Sequence, residues 1–185
     1  MMSTMHTAAR MTTREFLALP EPPAMLRFEL LDGELVTHNG PAARHQMALV
    51  RLIVTFDAWC GAAPDRGRVL PDLAVEPSTD TVFLPDLQWW SAGRGPSADD
   101  GLPWPVGDIA IEIASPSTAR FDAIVKTDRY LQAGAQEVWL VDPQRPGARI
   151  VRADVAGPPA ELGPDDALTS PLLPGFALPL ARLSD

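Results

Sequence analysis

The chain is almost without lysine. Fourteen of its 15 basic residues are arginine, and the single ammonium is Lys126. A compact ammonium with three rotating donors survives here among rigid guanidinium forks, which marks the position for inspection. Cysteine is equally scarce. One residue, Cys60, excludes an intramolecular disulfide and suits a reducing, cytoplasmic setting. Cys60 ends the largely apolar run Met47–Trp59, so a buried, inert thiol is expected rather than a nucleophile. No run approaches the roughly 18–20 apolar residues of a membrane span, and the start MMSTMHTAAR has no apolar secretory core. Positive charge is in deficit, with a formal net charge of −9. That excludes a broadly basic nucleic-acid surface but leaves room for a local basic cleft. It also suits a protein that gathers carboxylates around a metal. No Ser-His-Asp pattern or phosphate-binding glycine loop is present, and His38 and His45 lack a companion for a zinc site.

What remains is the composition of an ordinary globular protein, 46% hydrophobic and 21% charged, long enough for one domain with a real core. Residues 1–11 read as a disordered start and 12–185 as a single domain. Thr12 and Glu15 form a capping box for a short helix through Leu19, which Pro20 stops. Two β-type runs, 27–31 and 34–38, flank the turn Asp32-Gly33 and predict a hairpin. Leu49, Ile53, Phe56 and Cys60 recur at helical spacing over 41–60. Strands are expected over 68–75, 81–90 and 108–114. A helix capped by Ser115-Pro116-Ser117-Thr118 and ended by Gly134 follows, then strands at 137–141 and 148–151. The Pro- and Gly-rich tail from Ala156 is expected to wrap the core, with Leu172, Leu173, Phe176 and Leu178 as a candidate dimer interface. The order gives an α/β fold with mixed strand pairing.

Along 108–114 the isoleucines 109, 111 and 113 share one face, and Glu112 lies on the other between Ala110 and Ala114. A carboxylate in such surroundings is costly to bury unless paired or bound to a metal; the plainer alternative is a solvated Glu on an edge strand. The preceding strand carries Pro85-Asp86, with Asp86 on the side of Leu84 and Gln88 and an irregularity expected at the proline. Pro71-Asp72 repeats the dipeptide, so it is weak alone. The next helix sets Asp122, Lys126 and Tyr130, the one tyrosine, four residues apart on one face, with Phe121, Ile124, Val125 and Leu131 on another. By itself that stripe is a solvated helix face. Together with two strand carboxylates it describes a hard-metal phosphodiesterase site, where Mg²⁺ or Mn²⁺ lowers the pKa of a water and the ammonium offsets developing charge.

These residues also carry a family resemblance. RFELLDGELV (27–36), His45, VFLPDLQWW (82–90), the block 109–143 and LTSPLLPGFALPL (168–180) resemble the bacterial Uma-two family, placed among restriction-endonuclease-like proteins of the PD-(D/E)XK nuclease superfamily. The resemblance covers about residues 12–183. It implies a mixed β-sheet flanked by helices with an α-β-β-β-α-β core behind the N-terminal hairpin. It implies Asp86 and Glu112 as metal ligands with the Ile113 carbonyl, Mg²⁺ or Mn²⁺ as cofactor, DNA as substrate and a homodimer. Two departures stand out. The superfamily lysine two residues after the Glu is replaced by Ala114, so Lys126 has to supply the ammonium from the helix. The first core helix has no Glu, its polar candidates being His45, Gln46 and Asp57; Glu29 on the hairpin is the favoured substitute, and Tyr130 is a candidate phosphate or lysine partner.

Glu29 paired with Arg27 or Arg44 is an equally open reading. Trp89, Trp90 and Trp104 are either core anchors or a stacking surface for bases, core packing being favoured. At the level of function a metal-dependent endonuclease competes with a non-catalytic nuclease-fold module that binds or regulates, and with a hydrolase of another phosphorylated substrate.

Overall fold

A computed structural model describes residues 10–97, 99–115 and 121–183. The expected disordered start lies outside the described residues except for Arg10 and Met11, as does the expected cap at Pro116–Thr118.

The capping box forms as read. Thr12 N–H donates to Glu15 Oε2 at 2.8 Å, Glu15 N–H donates to the Thr12 hydroxyl at 3.3 Å, and α1 runs over Thr13–Leu17. The hairpin β1 (Leu26–Leu31) and β2 (Glu34–Asn39) pairs in register from Leu26↔Asn39 to Leu31↔Glu34. Asp32 and Gly33 both take positive φ, 48° and 83°, the two-residue turn whose twist matches that of the strands. α2 (Ala43–Gly61) buries Leu49, Leu52, Phe56 and Trp59.

The next two strands are each broken into two. β3 (Arg68–Pro71) and β4 (Val75–Ser78) replace the expected 68–75; β5 (Thr81–Phe83) and β6 (Leu87–Trp90) replace 81–90. Both breaks fall at a Pro-Asp. Proline gives the ladder no N–H, and Asp72 turns the chain with φ 56° while its own N–H donates to Pro85 O at 3.2 Å. The halves part company: β4 and β5 join the hairpin in a four-stranded sheet, β2-β1-β5-β4, while β3 and β6 join the larger sheet. Asp86 therefore sits at the junction of two sheets rather than on a strand face shared with Leu84 and Gln88.

The larger sheet has six strands in the order β10-β9-β8-β7-β6-β3, with β7 (Ile109–Ile113) at its centre, β8 (Glu137–Asp142), β9 (Gly147–Arg152) and β10 (Ala160–Leu162). β7 and β8 run parallel, and every other neighbouring pair is antiparallel. This is the mixed, helix-flanked sheet expected. The crossover from β7 to β8 includes a single π turn, Asp122–Lys126, running into α3 (Thr127–Gln132).

Two cores lie on opposite faces of β7. Ile109, Ile111 and Ile113 pack with α2, Trp139 and the C-terminal tail; Ala110 packs with Phe83, Trp90, Tyr130 and Val138. The tail thus wraps the core as expected, and the residues read as a candidate dimer interface belong to that core. Leu173, Phe176 and Leu178 are buried, and Phe176 stacks 4.5 Å from Phe56. A proline-rich segment lacks long ladders, so its apolar side chains are what hold it to the domain. Trp89 and Trp90 are likewise buried, donating to Arg66 O at 2.8 Å and Pro105 O at 3.2 Å, and present no stacking surface. Among the described residues no helix is long and apolar enough to cross a membrane.

Asp108, just before β7, is a buried fastening point. It accepts from Ser91 N–H (2.8 Å), Ser91 Oγ (2.9 Å) and Gln136 Nε2 (2.9 Å), and pairs with Arg94. Burial raises its pKa, but these donors outweigh burial and hold it below the usual carboxylate range. A depressed pKa contributes stability above the ordinary carboxyl pKa of about 4, lost as pH falls through the lower folded value. Asp108→Asn is expected to cost about 2 kcal/mol at pH 7. The gap to wild type in urea midpoints should be full above about pH 5 and narrow on acidification.

Candidate active site

Five parts of the chain meet where the two sheets join. The hairpin brings Arg27 and Glu29 on β1 and His38 on β2; α2 brings His45 in its first turn. The β5–β6 break brings Asp86, β7 brings Glu112, and the π turn with α3 brings Asp122, Lys126 and Tyr130. Arg27, Glu29, His45, Asp86, Glu112 and Lys126 line a single cavity of about 40 Å³, together with His38 and Asp122. That is room for a water or two, or for a small hydrated ion in part.

Lys126 is the hub. Its ammonium lies 2.8 Å from Glu29 Oε1, 3.1 Å from Glu112 Oε1 and 3.4 Å from Asp122 Oδ1, and the residue is only 5% exposed. Phe83 presents its ring 5.6 Å away. Burial lowers the lysine pKa, but Glu112, Glu29 and Asp122 reverse that and hold it above the ordinary value. Lys126 is therefore an ammonium at neutral pH.

Glu112 is reached on the same oxygen by the Tyr130 hydroxyl at 2.7 Å. Burial raises its pKa well above the ordinary carboxyl range, against the pull of Lys126, with Asp122 and Asp86 adding to the rise. With alanine on either side of it along the strand face, Glu112 is met by Tyr130 and Lys126. β7 is central, so the solvated edge-strand alternative does not hold. Burial, then Glu112, raise the Tyr130 hydroxyl well above its usual range, which keeps it a donor.

Glu29 differs from Glu112. Burial raises its pKa, but Lys126, His38 and the Leu84 N–H (2.8 Å) bring it below the ordinary value. Its partners are Lys126 and His38, the latter at 3.0 Å, and neither Arg27 nor Arg44. Asp86 is held on the other side of the cavity. Its Oδ2 accepts from Ile113 N–H at 2.8 Å and lies 3.0 Å from His45 Nε2, and its Oδ1 accepts from Arg27 at 3.3 Å.

The helix that carries Lys126 turns its polar stripe inward, as a site shared with the strand carboxylates requires. Asp122, Lys126 and Tyr130 form the buried face, and Ile124 is exposed. In the π turn Thr127 N–H donates to Asp122 O, five residues back, an arrangement that recurs at functional sites. Arg27, Asp72 and His38 escaped sequence reasoning. Arg27 stood inside the matched RFELLDGELV block and Asp72 in a Pro-Asp set aside as common. His38 lies across the hairpin from Arg27, and only the pairing register reveals that.

Among the described residues, no group of three or more His, Cys, Asp or Glu side chains stands ready to enclose a metal. Among the described residues the cavity holds a surplus of acid, four carboxylates (Glu29, Asp86, Glu112, Asp122) to two permanent cations (Arg27, Lys126). Two carboxylates and a carbonyl suit a hard ion that keeps several of its waters, as Mg²⁺ does, and not a closed protein cage.

Removing Lys126 should strand buried carboxylates. Lys126→Met is expected to lower stability by about 3–5 kcal/mol, and Glu29→Gln in the same chain to restore part of it. Chemical denaturation of the two single variants and the double variant checks this as a non-additive cycle.

A crystal structure from Anabaena variabilis ATCC 29413, described as a putative nuclease belonging to DUF820, superposes with a TM-score of 0.78. It shares 21% identity, over 94% of this chain and 97% of that one, and the likeness is one of fold. Curated proteins give no match. The family described as "Uma2: Putative restriction endonuclease" matches residues 13–181, and the chain belongs to that family.

Proposed function

We propose that this protein is a divalent-metal-dependent endonuclease that hydrolyses phosphodiester bonds in DNA. The observation that carries the reading is the position of the one lysine, a buried ammonium joined to Glu112 and Glu29 in the cavity that Asp86 also lines. A structural ion pair needs one carboxylate and no cavity.

Asp86 and Glu112, with the Ile113 carbonyl, are the residues that would hold Mg²⁺ or Mn²⁺; such an ion supplies an acidified water and offsets charge on the phosphate. The chain's own groups do the rest. Ile113 N–H and His45 fix the direction of the Asp86 carboxylate. Tyr130 and Lys126 fix Glu112 through one oxygen, Oε1. Lys126 keeps its proton, so it orients the attacking water and steadies negative charge as it grows on the phosphate, and does not act as a base. Glu29 and Asp122 keep the ammonium in place, and His38 steadies Glu29. His45 stands where a first-helix carboxylate would be expected, and its contact with Asp86 makes it a further candidate ligand.

A second reading has two observations in its favour: three donors already engage Asp86, and the strand position of the usual lysine is Ala114. A nuclease-fold module that binds without cleaving would look the same. Thermal denaturation with EDTA, Mg²⁺ or Mn²⁺ separates the two. At a hundredfold excess over Kd, a ligand of the folded state adds about 2.7 kcal/mol, roughly 5–10 °C for a chain of this length. The expected outcome is such a rise with Mn²⁺ in wild type and none in Asp86→Asn, with metal-dependent plasmid nicking lost in Asp86→Asn and Glu112→Gln. No shift in either protein would favour the binding module.

A further inference from the structure

Among the described residues, Arg27 is the one permanent cation in the cavity besides Lys126, and it is held differently. Its guanidinium bridges two carboxylates, NH1 to Asp86 Oδ1 at 3.3 Å and NH2 to Asp72 Oδ2 at 3.2 Å. Charge-assisted N–H···O bonds are ordinarily about 2.7–2.9 Å. Arg129–Asp32 (2.7 Å), Arg149–Glu161 (2.7 Å) and Arg152–Glu137 (2.9 Å) in this chain fall in that range, and the bonds of Arg27 do not. Its side chain is 23% exposed, against 6% for Lys126. It also lines a second, larger cavity of about 390 Å³ that opens between α1 and the hairpin and shares Arg27 and Leu84 with the first. Arg27 is thus loosely tethered, partly solvated, and has room to move.

Its tether lies on the one Asp86 oxygen that neither Ile113 N–H nor His45 engages. A divalent ion approaching that oxygen meets a guanidinium already there, and two positive charges compete for one acceptor. Asp72 offers the displaced arginine a second anchor. A freed, planar guanidinium at the mouth of a phosphodiesterase cavity is well shaped to take two oxygens of a phosphate.

We infer that the Asp86–Arg27–Asp72 bridge is a resting latch: a divalent ion at Asp86 displaces Arg27, and the released guanidinium then takes a phosphate of the nucleic-acid substrate. Ion and substrate binding are coupled through one side chain, and by linkage each strengthens the other. The inference rests on the metal-dependent reading above and adds to it a residue for substrate phosphate and an order of events.

The deciding variant is Arg27→Lys, which keeps the charge but cannot bridge two carboxylates as a fork. Mn²⁺ binding is read from the loss of the free-ion EPR signal, with circular dichroism to show that each variant is folded. The latch predicts that Arg27→Lys binds Mn²⁺ about tenfold more tightly than wild type, and Arg27→Gln more tightly still. A cleavage-resistant phosphorothioate duplex, labelled for anisotropy, gives the second reading. Without Mn²⁺, wild type and Arg27→Lys should bind it alike; with Mn²⁺, wild type should gain at least fivefold and Arg27→Lys should not. Equal or weaker Mn²⁺ binding by folded Arg27→Lys overturns the latch and leaves the metal site standing. A gain in duplex affinity that Arg27→Lys shares overturns the hand-over to phosphate. If wild type binds no Mn²⁺ at all, the metal reading falls and the latch with it.

Discussion

The site depends on one buried ammonium. Lys126 lies among Glu29, Glu112 and Asp122, and each comes from a different part of the chain: the hairpin, the central strand and the crossover helix. Burying any one of these charges alone would be costly, and burying them together is tolerable only while the cation stays in place. The same contacts that make the cluster permissible make it asymmetric. Glu29, which also receives a backbone N–H and a histidine, is pushed towards its ionised form, while Glu112 is pushed towards its neutral one. Carboxylates set apart in this way by their surroundings are a frequent mark of sites that do chemistry.

The frame for that cluster is made by two interruptions. Had 68–75 and 81–90 been continuous strands, Asp86 would have pointed from a sheet face and the hairpin would have had nothing to pair with beyond itself. The breaks at Pro71-Asp72 and Pro85-Asp86 let β4 and β5 turn away into the hairpin's sheet, with β5 beside β1, which brings Glu29 to Lys126 and Arg27 to Asp86 and leaves Asp86 at the seam. The seam also brings Asp72 to Arg27, so both Pro-Asp steps contribute a carboxylate to the neighbourhood of the cavity.

Much of this was legible in the residues. The Asp-Gly turn fixed the hairpin, because few residue pairs accept two successive positive φ values. The alternation of isoleucine with Ala and Glu over 109–113 gave the central strand and both of its faces. The spacing 122–126–130 placed the polar stripe on one side of its helix. Its direction was legible only through the strand carboxylates: alone an Asp-Lys-Tyr stripe is the usual solvated face, and the carboxylates turn it inward, leaving Ile124 outside. The strand breaks were half legible, since an irregularity at Pro85 was expected but not the parting of the sheets, and the wrapping of the tail was legible but not what its apolar residues cover. A proline permits a break without requiring it, and Leu173, Phe176 and Leu178 are equally apolar whether they cover a partner or their own core. Arg27 and His38 were hidden for a related reason. Their roles arise from pairing across the hairpin and from the seam, which are contacts between segments and leave no local pattern.

Having a single lysine makes the central claim directly measurable. Labelling with lysine carrying ¹⁵N at Nζ gives one side-chain ammonium resonance in the whole protein, that of Lys126, beside the N-terminal amine if that is labelled at all. The account predicts a slowly exchanging ammonium signal that does not titrate across the ordinary lysine range near pH 10.4. It predicts that the signal shifts when Mg²⁺ is added to wild type and does not shift in Asp86→Asn. A resonance that titrates like an exposed lysine, or that ignores Mg²⁺ in the wild-type protein, would contradict it.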